Sequence, residues 1–117
     1  MNEGKTDYRS MFDRTFLASF DLEGKDRIVT ISSVEAGEIK DDKGNAERKP
    51  VISFEGKKLK LCCNKTNCKA IAGMYGNVVE AWVGKRITLY ATVVAAFGSE
   101  WEAIRVRPTK PAERGAA

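Results

Sequence analysis

The feature that most constrains this chain is an alternation of apolar and polar residues with a period of two. In Lys85-Arg86-Ile87-Thr88-Leu89-Tyr90-Ala91-Thr92-Val93-Val94, the residues Ile87, Leu89, Ala91 and Val93 share one side. Arg86, Thr88, Tyr90 and Thr92 share the other. Successive side chains of an extended strand point to opposite faces, so the pattern describes a strand with one face for a core and one for solvent. Lys58-Leu59-Lys60-Leu61-Cys62-Cys63 repeats it, with Leu59, Leu61 and Cys63 set against Lys58, Lys60 and Cys62. Residues 27–34 and 50–55 are rich in β-branched side chains, and Pro50 is tolerated at the first position of a strand. Residues 101–107 alternate again, with Ile104 and Val106 inward and Trp101, Arg105 and Arg107 outward, until Pro108 ends the run.

Only one segment carries helix chemistry. Asn64 is a strong N-cap, Cys68, Ile71, Ala72 and Tyr75 follow at helical spacing, and Gly76 suits the C-terminus. A short turn after it is expected to bury Trp82, and Tyr75 is expected to pack as well. Residues 36–49, with Gly37, Asp41, Asp42, Gly44 and Asn45, show no apolar periodicity and read as a long charged loop. The structure of the apolar set Phe12, Phe16, Leu17, Phe20 and Leu22 is left open, with a short helix over residues 10–18 as one solution.

The resulting order is β-β-β-α-β-β. Five strands with a helix between the third and fourth is the order of the OB-fold, a small, partly open Greek-key barrel. An open sheet with the helix on one face has the same elements; a mainly β, five-stranded OB-fold-like barrel is preferred because closure protects strand edges. With 117 residues, of which 43% are hydrophobic, the chain is long enough for one domain. Residues 11–108 are expected to form it, between a disordered N-terminus (residues 1–10) and a disordered tail (residues 109–117).

Composition narrows the chemistry. There is no histidine, which removes Ser–His and Cys–His nucleophiles and the commonest general base. No phosphate-binding glycine loop or nucleophile elbow is present, and Asp41-Asp42 reads as a solvated pair rather than a magnesium site. A protein without catalytic activity or cofactor is expected. Cys62, Cys63 and Cys68 form an odd set with no fourth ligand for zinc, and read as reduced, metal-free thiols. No run approaches the roughly 20 apolar residues of a membrane span and no apolar leader opens the chain, so a cytoplasmic protein is expected.

What remains is a basic exterior. The net charge is +4, and between Gly56 and Val79 there are lysines but no acid. Lys58 and Lys60 project from the third strand; Arg86, Tyr90, Trp101, Arg105 and Arg107 project from the last two. Cations neutralise phosphates and aromatic rings stack on bases irrespective of sequence, which is the equipment for single-stranded DNA. Alternating lysines also serve simply to solvate a strand and discourage edge pairing. The acids Glu35, Glu38, Asp41, Asp42 and Glu47 suggest the alternative of a protein-interaction module. Asn64-Lys65-Thr66-Asn67 offers either an anion contact at a helix N-terminus or a plain cap; the cap needs no partner and is preferred.

The runs Cys63-Asn64-Lys65-Thr66-Asn67-Cys68-Lys69-Ala70-Ile71, Tyr75-Gly76, Trp82-Val83-Gly84-Lys85-Arg86-Ile87-Thr88-Leu89-Tyr90 and Ile104-Arg105-Val106-Arg107 together resemble a largely uncharacterised family of small phage and prophage proteins. Residues 16–24, F-L-A-S-F-D-L-E-G, are similar to that family's opening. The resemblance spans about residues 12–108. It implies a phage setting, with single-stranded DNA handled in replication or recombination. The alternative it leaves is a module that binds a phage replication protein or inhibits a host defence factor.

Overall fold

The computed structural model describes residues 8–11, 14–40, 43–96 and 98–111. The fold is mainly β, with five antiparallel strands in one open sheet. They are β1 (Arg27–Lys40), β2 (Ala46–Phe54), β3 (Leu61–Cys62), β4 (Arg86–Ala96) and β5 (Ser99–Val106), in the order β3-β2-β1-β4-β5. One helix, α1 (Lys65–Tyr75), lies between β3 and β4. The expected element order is therefore found, but among the described residues no ladder joins β3 to β5. Residues 1–7 and 112–117, most of the two expected disordered ends, lie outside the described residues, as do Asp41 and Asp42; Tyr8–Met11 form a 3-10 turn. Among the described residues, no helix is long and apolar enough to cross a membrane.

β1 holds the sheet together because it serves two ladders. Its first residues pair with β4, from Arg27 opposite Leu89 to Thr30 opposite Arg86. From Ile31 onward it pairs with β2, after a bulge between Ile31 and Ser33. A bulge adds a residue to one strand and bends it. Here it falls where β1 passes from one neighbour to the other, and Ile31 and Val34 both stay with the core side chains Phe54 and Ile52.

The expected charged loop is a β-ribbon. β1 continues to Lys40 and β2 begins at Ala46, with Glu38 opposite Arg48 and Ile39 opposite Glu47. Backbone pairing makes strands here without apolar periodicity, and opposed charges on facing residues assist it. Gly37 is a requirement of this ribbon: a Cβ there would sit 2.6 Å from Val51 Cγ2. Pro50 consequently lies inside β2 rather than at its start.

The third strand is shorter than the alternation of residues 58–63 suggests. Cys63 N–H donates to the Pro50 carbonyl at 2.9 Å. Pro50 has no N–H to return the bond, so the ladder stops. At the other end of β3, Lys60 turns to the N-terminal segment: its N–H donates to Thr15 and its carbonyl accepts from Leu17. A parallel bridge from Phe16 to Lys60 results.

The core contains Ile31, Ile52, Phe54, Leu61, Ile87, Leu89, Ile104 and Val106, as the alternation requires, with Leu22, Val29, Cys63, Ile71 and Trp82. Leu59, expected inside, is half-buried. Val93 is 62% exposed, because β4 and β5 run past the core as a hairpin. α1 starts at Asn64, whose side chain accepts from Asn67 N–H at 2.8 Å. Trp82 is buried in a 3-10 turn (Val79–Trp82) and donates its indole N–H to the Gly76 carbonyl.

Among the described residues, Asn67 is the one buried polar residue of this core, 2% exposed. Its Nδ2 donates to the Ile104 carbonyl and its Oδ1 accepts from Val106 N–H, each at 3.1 Å. Asn67→Ala is expected to destabilise the protein by about 1–3 kcal/mol for each backbone group left unpaired, read from urea unfolding. Leu61→Ala is expected to cost about 2–5 kcal/mol in the same measurement, the range for truncating a buried aliphatic side chain. A loss under about 1 kcal/mol would mean that Leu61 does not face the core.

Candidate functional site

Burying Ile104 and Val106 forces Arg105 and Arg107 to the other face of β5, and burying Ile87 and Leu89 does the same for Arg86 and Tyr90 on β4. The register then places Tyr90 opposite Arg105 and Val94 opposite Trp101. The Arg107 guanidinium lies 3.7 Å from the centroid of the Tyr90 ring, a cation held over one aromatic face. Its Nε and Nη2 each donate to the Asp26 carboxylate at 3.1 Å. That hydrogen bond raises the Arg107 pKa further, so the charge is permanent. Trp101 is 48% exposed towards the hairpin end of the same face.

Arg86 opens β4 opposite Thr30, and its carbonyl accepts from the Tyr75 hydroxyl. Tyr75 is thus half-buried and structural, in keeping with its expected packing role. Strand alternation puts Arg86 on the Tyr90 face, two alternations away. Five of the seven expected contact residues (Arg86, Tyr90, Trp101, Arg105 and Arg107) therefore share a sheet face.

Lys58 and Lys60 are placed differently. Lys58 is exposed in the turn before β3 and lines a cleft of about 920 Å³ whose floor includes Leu22, Val29, Phe54 and Leu89. Lys60 is half-buried, with its backbone taken by residues 15 and 17. In the sheet order, β3 and β5 stand at opposite ends. The two lysines are not gathered around the Tyr90 ring.

A smaller cleft of about 310 Å³ lies between β3 and β5, lined by Leu17, Leu61, Cys62, Asn67 and Arg105 among others. Arg105 thus reaches from the basic face to the rim of this gap. Among the described residues no group of three or more Cys, Asp or Glu could hold a metal ion. All three cysteines are free, with Cys63 buried and Cys62 and Cys68 half-buried.

Chemically, the arrangement offers a ring, permanent cations within reach of it and a second exposed ring on the hairpin. Asp26 is the residue that sequence reasoning passed over. It lies in a turn signal, Glu23-Gly24-Lys25-Asp26, and only the fold brings it to Arg107 at the far end of the chain. Arg107→Ala is expected to leave the thermal midpoint nearly unchanged, because an exposed ion pair is screened by water and salt. A large drop would show that the pair holds the β1 turn to β5. No family model, curated protein or solved structure matches the chain.

Proposed function

We propose that this is a non-enzymatic, OB-like protein that binds single-stranded DNA with little sequence preference, in a phage or prophage replication or recombination process within the host cytoplasm. The observation that carries the reading is the Tyr90 ring with Arg107 over one face and Arg105 opposite it in the register. Cationic side chains neutralise phosphates and exposed rings stack on bases; Trp101 is the more open ring of this face, since Tyr90 is half-buried with Arg107 over it. Arg86 and Trp101 extend the same face along β4 and β5. The sequence resemblance to small phage proteins supports the setting.

The OB-like reading rests on three features. The helix lies between β3 and β4, β1 serves two ladders, and a cleft shared by Leu61 of β3 and Ile104 of β5 occupies the place where a barrel of this order would close. On such barrels oligonucleotides lie on the outer face around strands 2 and 3, between the 1–2 and 4–5 connections; the basic face here is on β4 and β5, so it shares only the 4–5 connection with that path. In this protein those connections are the β1–β2 ribbon and the β4–β5 hairpin.

A titration of a fluorescent oligonucleotide at several salt concentrations tests the proposal. Affinity is expected to fall linearly on logarithmic axes, and Arg105→Ala to reduce the slope by about 0.7, the single-strand value per phosphate. Arg107→Ala is expected to reduce it by less, because the Nε–Nη2 edge of that guanidinium is already held by Asp26. Tyr90→Ala and Trp101→Ala are expected to lose about 1–3 kcal/mol each with the slope retained. Lys58→Ala, away from the ring, is expected to change the slope least. A folded wild type that binds no oligonucleotide at low salt overturns the reading. The second reading, a module for a phage or host protein, would then turn to the ribbon. Residues 46–49 of β2 extend beyond β3, leaving an edge to which an added strand could pair.

A further inference from the structure

Cys63 immediately precedes the N-cap Asn64, and Cys68 is the fourth residue of α1. Residues at these two helix positions pack against one another at many helix starts, usually as a pair of apolar side chains. In this chain both are thiols. The Asn64 cap fixes the direction in which the chain enters the helix, and the Cys68 Sγ comes to rest 3.1 Å from the Cys63 Sγ. Cys63 is 1% exposed, in the core, whereas Cys68 is half-buried. Cys62, the neighbour, alternates to the outer side of β3, opposite Val51.

We propose that Cys63 and Cys68 form a dithiol site that a low-molecular-weight disulfide, such as oxidised glutathione, converts into an intramolecular disulfide across the first turn of α1. The more accessible Cys68 reacts first. Its sulfur attacks one sulfur of the oxidant, a Cys68–glutathione bond forms, the oxidant's S–S bond breaks, and one glutathione leaves with the Cys68 proton. Cys63 then attacks the Cys68 sulfur, the mixed disulfide breaks, and the second glutathione leaves with the Cys63 proton. Two cysteine thiols lose two electrons in all, and one glutathione disulfide gains them. The second step is favoured by proximity, since the sulfurs are already in contact before oxidation. Burial above all, then the hydrogen bond with Cys68, raises the Cys63 pKa well above the usual thiol value, so Cys63 is a weak nucleophile and its step rests on the contact between the sulfurs.

The bond would tie the end of β3 to the turn of α1 that carries Asn67, and so fix the helix against β5. The test treats the full folded chain with oxidised glutathione, alkylates remaining thiols, digests with trypsin and reads the fragments by mass spectrometry. Weighed intact before alkylation, the expected product is a monomer lighter by about 2 Da than the reduced chain, the mass of the two hydrogens removed. Peptides 61–65 and 66–69 should be joined in it, and dithiothreitol should separate them. C62S is expected to give the same joined peptides, and C68A none. C63A is expected to stop at a glutathione adduct on Cys68. The proposal is overturned if wild type ends as a glutathione adduct or a disulfide-linked dimer, or if C62S abolishes the joined peptides. Joined peptides that persist in C63A would likewise overturn it, by making Cys62 the partner.

Discussion

The contact on which most of this structure depends is a side-chain amide standing in for a strand. β5 is the last strand of the sheet, so one side of its backbone has no ladder. Asn67 supplies one donor and one acceptor to that side, at Ile104 and Val106, from within the core. A buried carboxamide is tolerated only where its groups are paired, and the unpaired backbone of β5 has the same requirement. Each satisfies the other. Because the bonds fall on Ile104 and Val106, they also fix which side chains of β5 face inward, and so which arginines face out beside Tyr90.

The opposite edge is treated by a different device. Beyond β3 the chain's own N-terminal segment supplies hydrogen bonds to Lys60 and carries Leu17 towards the core. That segment has little regular structure and is held by Arg14, which makes two 2.9 Å hydrogen bonds to the Asp21 carboxylate. Asp21 also accepts from Ala18 N–H at 2.7 Å. Exposed strand edges invite pairing with other chains. Covering one edge with a polar side chain and the other with an irregular segment protects both without a β3–β5 ladder.

Much of this architecture was legible in the sequence, because burial on one face of a strand leaves a period-two record. The period places Ile87, Leu89, Ile104 and Val106 inward, and all four are buried. The outward partners Tyr90, Arg105 and Arg107 follow from the same count. Features that depend on backbone pairing or on remote partners left no such record. Glu38 and Arg48 carry no apolar signal, yet they face one another in a ribbon. The lysines at 58 and 60 alternate faultlessly, but the backbone of Lys60 is taken by Thr15 and Leu17, remote residues that no alternation announces, and the strand begins only at Leu61. Asn67 read as part of a helix cap, because its partners lie 37 and 39 residues away. Asp26 was visible only as a turn residue, for the same reason.

The double duty of β1 also bears on how the chain reaches this state. Lys40 meets Ala46 across a few intervening residues, so pairing the ribbon closes only a short loop. Arg27 meets Leu89 only after most of the chain has been made, and closing so large a loop costs more entropy before any contact repays it. One strand therefore contains both a local and a remote pairing, separated by the bulge at Ile31–Ser33. Until β4 arrives, the first residues of β1 lack their neighbour, and the face that will carry Tyr90 does not exist. During synthesis, the surface proposed to meet a ligand is the last part of the domain to be made.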